Sequence, residues 1–234
     1  SHVSNVTGVI SPVKKIATLT HKYNGVIMVD GAQAAGIINI NLENIDYYIW
    51  AGHKSLYGPY GIAGIVIDEN APQPDTFIHG GTGSASELKT MPEEIPLKYE
   101  AGSSNIQAIA GLNAALEWMN ETGTNNIYSH EKKLSDKLID MLENDFIDVK
   151  VFRPKNIENH FNVISTKFSG FTPHEIANIL DQKFNIAVRS GLHCAPETHE
   201  FLGTMPNGLV RFSLGYFNSQ EDIYKLKQYL DEEI

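Results

Sequence analysis

Cysteine is almost absent from this sequence of 234 residues, which contains only Cys194. A single thiol excludes an internal disulfide and is typical of proteins in a reducing compartment. Basic residues are also in the minority, with 18 Lys and Arg against 28 Asp and Glu and a formal net charge of −10. This charge argues against nucleic acid or an anionic membrane as the main partner.

Long apolar runs are missing as well. No segment of the sequence approaches the roughly 20 apolar residues that a membrane-spanning helix needs, and the first residues lack the layout of a signal peptide. We therefore expect a cytoplasmic protein. No spacing of His, Cys and Asp indicates a metal site. With 42% hydrophobic residues, the chain can bury the core of one large domain or of two modest ones.

Alternating patterns in the first half predict an α/β fold with a mainly parallel sheet. Ser11-Pro12 and the apolar spacing after it predict a helix over 11–23. The short apolar run at 25–30 predicts a strand that is covered on both faces. Further strands are predicted at 46–50 and 61–67. A well-buried helix is predicted at 105–119, through Ile106, Ile109, Leu112, Ala115 and Leu116.

The second half predicts a smaller α+β unit, preceded by a helix over 126–144. Strands are expected near 149–152, 161–166, 185–189 and 209–214. The residues Thr172–Glu175 and Ser219–Asp222 match the capping box, in which a hydroxyl residue and an acidic residue satisfy the first backbone N–H groups of a helix. We therefore expect these two segments to start the helices of this unit.

Asp30 and Lys54 both follow predicted strands, where ligands of open α/β sheets gather. A pyridoxal-phosphate (PLP) site needs a lysine amine for the cofactor aldehyde and a carboxylate that keeps the pyridine nitrogen protonated. The two residues are suitable for these roles. Judged by residue type alone, however, a helix-capping Asp30 and a solvated Lys54 are the more common explanation, because short patterns also match by chance.

Cys194 has two interpretations. Unpaired cysteines are usually buried and act as small hydrophobic residues. Here Cys194 lies in a glycine-containing loop with His193 beside it and Arg189 nearby, and such neighbours favour a reactive thiolate. The first interpretation predicts an inert side chain, and the second predicts a nucleophile.

The sequence around these residues resembles class V enzymes of the fold-type I PLP group, particularly the cysteine desulfurases. The segments Val29–Gly36 and Ala51–Gly61 carry the closest likeness to their PLP-binding segments. The other segments follow in the family's order and are Val3–Gly8, Gly80–Ser84, Tyr99–Asn105, Arg189–Pro196 and Val210–Asn218.

This resemblance implies a fold and a chemistry. Residues 1–121 would be part of the PLP-binding large domain, and residues 122–234 would be a C-terminal small domain that carries the cysteine loop. The expected reaction is transfer of sulfur from L-cysteine to Cys194 as a persulfide, with release of L-alanine. A sulfur-accepting protein, such as an iron–sulfur assembly factor, would collect the sulfur. Selenocysteine lyase or aminotransferase activity on the same fold is the alternative.

The resemblance also implies roles for the cofactor-binding residues. Lys54 would form the Schiff base, Asp30 would pair with the pyridinium nitrogen, and Gln33 would donate to the ring oxygen. Asn5 would lie beside cofactor and substrate, and His53 would contact the phosphate.

Three further roles concern the substrate and the oligomer. Arg211 would bind the substrate carboxylate, for which its planar fork is suited, although an ion pair on the surface is the simpler use of an arginine. Arg189 would shape the cysteine loop or the substrate site. Ser103 matches the position from which a partner subunit supplies a hydroxyl to the phosphate, so a homodimer is expected. His2, His79 and His199 are interpreted as ordinary polar residues.

The family's chains extend well upstream of the segment that matches Val3–Gly8. That upstream part supplies a ring stacked on PLP and a phosphate-binding turn. We expect this chain to lack both, so a non-catalytic fragment is a further alternative.

Overall fold

The computed structural model describes residues 1–84 and 87–233. These residues form a mixed α/β fold, which confirms the predicted class. The helices are α1 (Val13–Lys22), α2 (Ile106–Thr122), α3 (Thr124–Asn144), α4 (Pro173–Phe184), α5 (Pro196–Leu202) and α6 (Gln220–Glu233). The strands are β1 (Met28–Asp30), β2 (Tyr47–Ala51), β3 (Ala63–Ile67), β4 (Val149–Phe152), β5 (Val163–Phe168), β6 (Arg189–Gly191) and β7 (Leu209–Ser213).

The first sheet has the order β1-β2-β3. β1 pairs with β2 in parallel, whereas β2 and β3 are antiparallel, so the sheet is mixed rather than mainly parallel as predicted. The reason lies in the connections. Residues 52–62 join β2 to β3 through a loop without a helix, and parallel neighbours need a longer crossover.

This sheet is also less covered than predicted. In β1 only Val29 is buried, while Met28 is 60% exposed, and Val66 of β3 is 44% exposed. The covered face packs against α1, the turn after β1 and α2, through residues that include Ala17, Ile37, Leu112 and Met119. The expectation of a strand buried on both faces is therefore wrong for the described residues.

Helix α2 differs from its prediction in the same way. Asn105 caps it, because its side chain accepts a hydrogen bond from the Ala108 amide at 3.1 Å. Leu112 is buried as predicted, whereas Ile106 and Ile109 are 72% and 47% exposed, so only part of the predicted face meets the core. Its sequence is apolar on several sides, and periodicity alone does not show which side meets the core.

The second sheet has the order β4-β5-β7-β6 and is antiparallel throughout. The helices α3, α4 and α6 contribute to its core, which contains Leu138, Leu142, Ile176, Leu226 and Leu230. The last predicted strand before the cysteine loop is displaced and starts at Arg189, because α4 ends at Phe184 with Asn185 as its cap and residues 186–188 form no strand.

Both predicted capping boxes lie at helix starts. Thr172 accepts from the Glu175 amide, and Glu175 accepts from the Thr172 amide at 2.7 Å, at the start of α4. Ser219 and Asp222 exchange equivalent bonds before α6. Side chain and backbone thus satisfy N–H groups that a helix leaves unpaired, as the sequence predicted.

The N-terminal segment runs between the two sheets. Val9 forms a bridge with His160, and the Ser165 hydroxyl of β5 donates to the Val6 carbonyl. Val6 itself is fully buried. This segment therefore connects the start of the chain to β5 and to the residues just before it. Among the described residues, no helix is both long and apolar enough to cross a membrane.

Candidate active site

A cavity of about 610 Å³ lies where the loop after β2 faces the end of the second sheet. Seven of the predicted site residues line it, namely Asn5, Gln33, His53, Lys54, Arg189, Cys194 and Arg211. Asp30 and Ser103 do not line it. The fold thus gathers side chains from the first 54 residues and from the last 46 into one site.

Lys54 is presented by a closed turn. The Gly52 amide donates to the Ile62 carbonyl at 3.0 Å, and the Gly58 amide donates to the Gly52 carbonyl at 2.8 Å. A side chain at Gly52 would lie 2.7 Å from Ile62 Cγ2, so the turn can close only with glycine at this position. The Lys54 side chain is exposed at the cavity, and the neighbouring His53 ring stacks on Tyr60 at 4.5 Å.

Asp30 and Gln33 belong to the turn that follows β1. Asp30 is exposed and accepts a hydrogen bond from the Ala32 amide at 3.0 Å, so it caps the turn in this structure. Behind it, His2 Nδ1 lies 3.3 Å from the Tyr48 hydroxyl. Burial raises the pKa of Tyr48 to about 12, and the Asp30 charge acts in the same direction. Gln33 reaches the cavity from this turn.

The cysteine loop begins at the end of β6. Arg189 Nη2 donates to Cys194 Sγ at 3.0 Å, and the thiol is exposed. His193 and Cys194 both have left-handed backbones, with φ of 50° and 61°. The side-chain Nδ2 of Asn5 donates to the His193 carbonyl at 2.7 Å. Two unusual backbone conformations thus turn the sulfur toward the cavity, and Asn5 holds them.

The His193 side chain lies beneath this loop and is only 2% exposed. Burial lowers the pKa of His193 to about 4, and Arg211 and His199 add to the effect. His199 is fully buried 5.6 Å from the His193 ring, with its Nδ1 at 2.7 Å from the Thr204 hydroxyl. Both imidazoles are therefore neutral near pH 7 and support the loop from inside.

Arg211 projects from β7 and is half-buried. Its Nη1 donates to the Asn5 carbonyl at 3.1 Å, and its buried Nε has no hydrogen-bond partner among the described residues. Burial lowers the pKa of Arg211, and Arg189 acts in the same direction. An arginine with an unused buried donor at a cavity is prepared for an anionic ligand.

Ser103 lies elsewhere, exposed in the segment before α2. The glycine-rich residues Gly80–Ser84 line a different cleft of about 750 Å³, together with Thr76, His79 and Lys98. Neither feature contributes to the cavity that Lys54 lines.

Three residues that sequence reasoning missed also line the cavity, namely Tyr57, Glu131 and Asn162. Glu131 left a signal that could have been used. It falls on the apolar face of α3, four residues after Ile127 and three before Leu134, both of which are buried. A lone carboxylate on such a face indicates a buried polar contact.

Comparison with known proteins places this fold in a structural class. The fold is similar to that of a cysteine desulfurase from Thermococcus onnurineus NA1, with a TM-score of 0.84 and 31% identity over 99% of this chain and 58% of that one. The cysteine desulfurase CsdA from Escherichia coli gives a TM-score of 0.85 at 28% identity over 99% and 57% of the two chains.

The family follows from the sequence match. The model of the aminotransferase class-V family matches residues 1–226, and the chain belongs to that family. A cysteine desulfurase from Shigella sonnei is 34% identical over 97% of this chain and 55% of its own length. The chain spans just over half the length of the curated relatives it matches. The predicted family and fold are confirmed.

Proposed function

We propose that the protein acts in PLP-dependent desulfuration of L-cysteine, passing sulfur to Cys194 as a persulfide and releasing L-alanine. One observation carries the proposal: a lysine, an arginine with an unused donor and the chain's only cysteine line the same cavity. The named cysteine desulfurases among its relatives support the same chemistry.

The residues of the cavity fit PLP. Besides the Lys54 amine, the buried Ser55 hydroxyl has no hydrogen-bond partner among the described residues and is free to donate to a phosphate. Lys54, Gln33, His53 and Ser55 would hold the cofactor, and Asp30 would reach its ring nitrogen from the neighbouring turn. When bound, PLP supplies an electron sink for the substrate Cα.

The chain's own residues would carry out the remaining steps. Arg211 would bind the substrate carboxylate through a bidentate pair, and the Lys54 amine would move protons at the substrate Cα. The Cys194 thiolate then attacks the substrate sulfur, so that an S–S bond forms and the substrate C–S bond breaks. The electron pair of that bond stays with carbon, which is protonated to give alanine. Arg189 beside Sγ stabilises the thiolate before attack.

We also propose roles for Asn5, for Ser103 and for a sulfur-accepting partner. Asn5, which contacts both the cysteine loop and Arg211, would orient the substrate between them. Ser103 would serve the cofactor phosphate of a second copy in a homodimer. A sulfur-accepting protein of iron–sulfur assembly would take the persulfide sulfur from the exposed Cys194.

The first experiment asks whether PLP reaches Lys54. The protein is mixed with PLP, reduced with borohydride and analysed by peptide mass spectrometry. We expect the cofactor mass on Lys54, its loss in Lys54→Ala and its retention in Lys14→Ala, which removes an exposed lysine of α1. Absence of the mass on wild-type Lys54 would favour a non-catalytic fragment.

The second experiment asks for the reaction. Incubation with L-cysteine should give alanine and add one sulfur to Cys194, and Cys194→Ala should give neither. Equal turnover by Cys194→Ala would reject the proposed role of the thiol. Release of alanine from selenocysteine alone, or amino transfer to a keto acid, would identify the related activities instead.

A further inference from the structure

Glu131 is a buried carboxylate that lines the cavity. Its side chain is 1% exposed, and none of the salt bridges among residues 1–84 and 87–233 includes it. Oε2 accepts from Asn162 Nδ2 at 2.6 Å, and Oε1 accepts from the Tyr57 hydroxyl. Burial raises the pKa of Glu131, and the two hydrogen bonds oppose this effect. Burial of a carboxylate costs free energy unless it is hydrogen-bonded. A buried polar network whose members are hydrogen-bonded makes the residues that it joins more rigid.

Tyr57 belongs to the turn that presents Lys54. Its amide donates to the Lys54 carbonyl at 3.0 Å, and its backbone is left-handed, with φ of 57°. This conformation costs a residue with a side chain about 1–2 kcal/mol. The side-chain contacts offset that cost, because the ring meets Trp118 at 5.1 Å and the hydroxyl is held at both its donor and its acceptor side.

The other end of this network lies in the segment after β7, just beyond Arg211. The Tyr216 amide donates to the Tyr57 hydroxyl at 2.8 Å, and Asn162 Nδ2 also donates to the Leu214 carbonyl at 2.9 Å. Both hydrogen bonds that Glu131 accepts therefore lead to residues 214–216. One carboxylate thus connects the Lys54 turn, α3 and the chain that follows Arg211.

We propose that Glu131 is a positioning residue that, through Tyr57 and Asn162, locks the Lys54 turn against the segment after Arg211. The lock fixes the separation between the amine that would hold the cofactor and the guanidinium that would bind the substrate. Its significance for catalysis rests on the proposed function. The lock itself is a property of the cofactor-free protein.

Amide hydrogen exchange, measured by NMR on the cofactor-free protein, tests the lock. Two amides report on it: Tyr216, which donates to the Tyr57 hydroxyl, and Gly58, which closes the Lys54 turn on Gly52. In Glu131→Gln, an NH₂ group replaces one of the two acceptor oxygens, so either the Tyr57 hydroxyl or Asn162 Nδ2 loses its acceptor. We expect both amides to exchange about fivefold faster, since a hydrogen bond is worth about 1 kcal/mol. Tyr57→Phe should have the same effect on Gly58.

Tyr128→Phe is the matched control. Tyr128 lies on the same helix, is half-buried and stacks on Phe161 at 5.1 Å, outside this network. It should leave Tyr216 and Gly58 at the wild-type rate. The amides of β5 should be unchanged in every variant, because a general loss of stability would accelerate them too.

Wild-type exchange at Gly58 in either Glu131→Gln or Tyr57→Phe would overturn the proposal, as would uniform acceleration across β5. If Glu131→Gln does not fold, the Gly58 rate in Tyr57→Phe decides alone. Failure of the proposed function is distinguishable, because it appears as missing PLP on wild-type Lys54. The exchange rates are independent of that result.

Discussion

Among single residues, Arg189 has the most direct contact with Cys194, the proposed nucleophile. The guanidinium donates to Sγ at 3.0 Å in an exposed loop, where water competes for both groups. A cation beside a thiol favours the thiolate, which is the nucleophilic form. The reactivity of Cys194 therefore depends on the position of β6, which carries Arg189.

Arg189→Gln should slow alkylation of Cys194 by iodoacetamide at pH 7 by roughly threefold to tenfold, the range expected for an exposed charged hydrogen bond. Because Cys194 is the only cysteine, the mass of the intact protein follows the reaction directly. Arg153→Gln, which removes an arginine bound to Glu143, should react like the wild type. An unchanged rate in Arg189→Gln would show that the contact does not activate the thiol.

His193 makes a second residue-scale prediction, which concerns pH. In the folded protein, the pKa of His193 is lowered to about 4 from its ordinary value of 6.5. Between these two pH values, His193 binds a proton in the unfolded chain but not in the folded one. Stability therefore falls as pH decreases from 6.5 toward 4, by up to about 3 kcal/mol from this residue. His2, His160 and His199, whose pKa values burial also lowers, act in the same direction.

His193→Asn should flatten this dependence, and asparagine tolerates the left-handed backbone at this position. Urea denaturation at several pH values between 4 and 8 gives the free energy of unfolding. Leu138→Ala, which opens a cavity in the second core without removing a titratable group, should lower the whole curve and keep its slope. An equally steep curve for His193→Asn would contradict the assignment.

At the scale of elements, the start of α4 is the capping feature that the sequence located best. Thr172 and Glu175 satisfy each other's backbone amides there. Thr172→Ala should lower the free energy of unfolding by about 1 kcal/mol, since it removes the cap of one helix. Thr124→Ala, at the start of α3 where no side chain caps the helix, should change it by less than about 0.5 kcal/mol. Equal effects in urea denaturation would show that the hydroxyl at Thr172 is not needed.

The N-terminal segment runs between the two sheets, and we expect its packing there to matter for the stability of the whole protein. Gly8 has a left-handed backbone with φ of 63°, and a Cβ there would lie 2.6 Å from His160 Nε2 and from the Phe161 and Val163 carbonyls. Gly170 is also left-handed, with φ of 82°, but has open space around it. Comparing substitutions at the two glycines therefore separates the cost of a left-handed backbone from the cost of close packing.

Gly8→Ala should be the more damaging substitution. Gly170→Ala should cost about 1–2 kcal/mol for the backbone alone, whereas Gly8→Ala should cost about 1–3 kcal/mol more for overpacking. Denaturation in urea measures both. Equal losses would mean that the segment can move away from His160, so that it does not tie the two sheets together.

The division into domains at residues 121 and 122 stays a prediction. The boundary falls at the end of α2, yet Ile127 of α3 and Phe161 belong to the core of the first sheet. Because residues from both sides of the predicted boundary contribute to this core, a domain boundary chosen from sequence order does not separate it from the second half of the chain. The second sheet has its own core, which is consistent with a smaller C-terminal unit.

Features that depend on local order could be predicted from the amino-acid sequence alone. The capping boxes at Thr172 and Ser219, the helix over Val13–Lys22 and the strand at Val149–Phe152 follow from side-chain types a few residues apart. Motifs whose residues are contiguous in the chain also indicated three candidate site residues, Lys54, Cys194 and Arg211.

Contacts between residues that are distant in the chain could be seen only in the folded structure. It brought Asn5 to His193 and Tyr57 to Glu131, across 188 and 74 positions, and it left Asp30 and Ser103 outside the cavity lining. It also showed which apolar residues of α2 and β1 stay exposed. The physical reason is that periodicity records that a face is apolar, whereas burial and hydrogen bonding depend on the surface that the rest of the chain places against it.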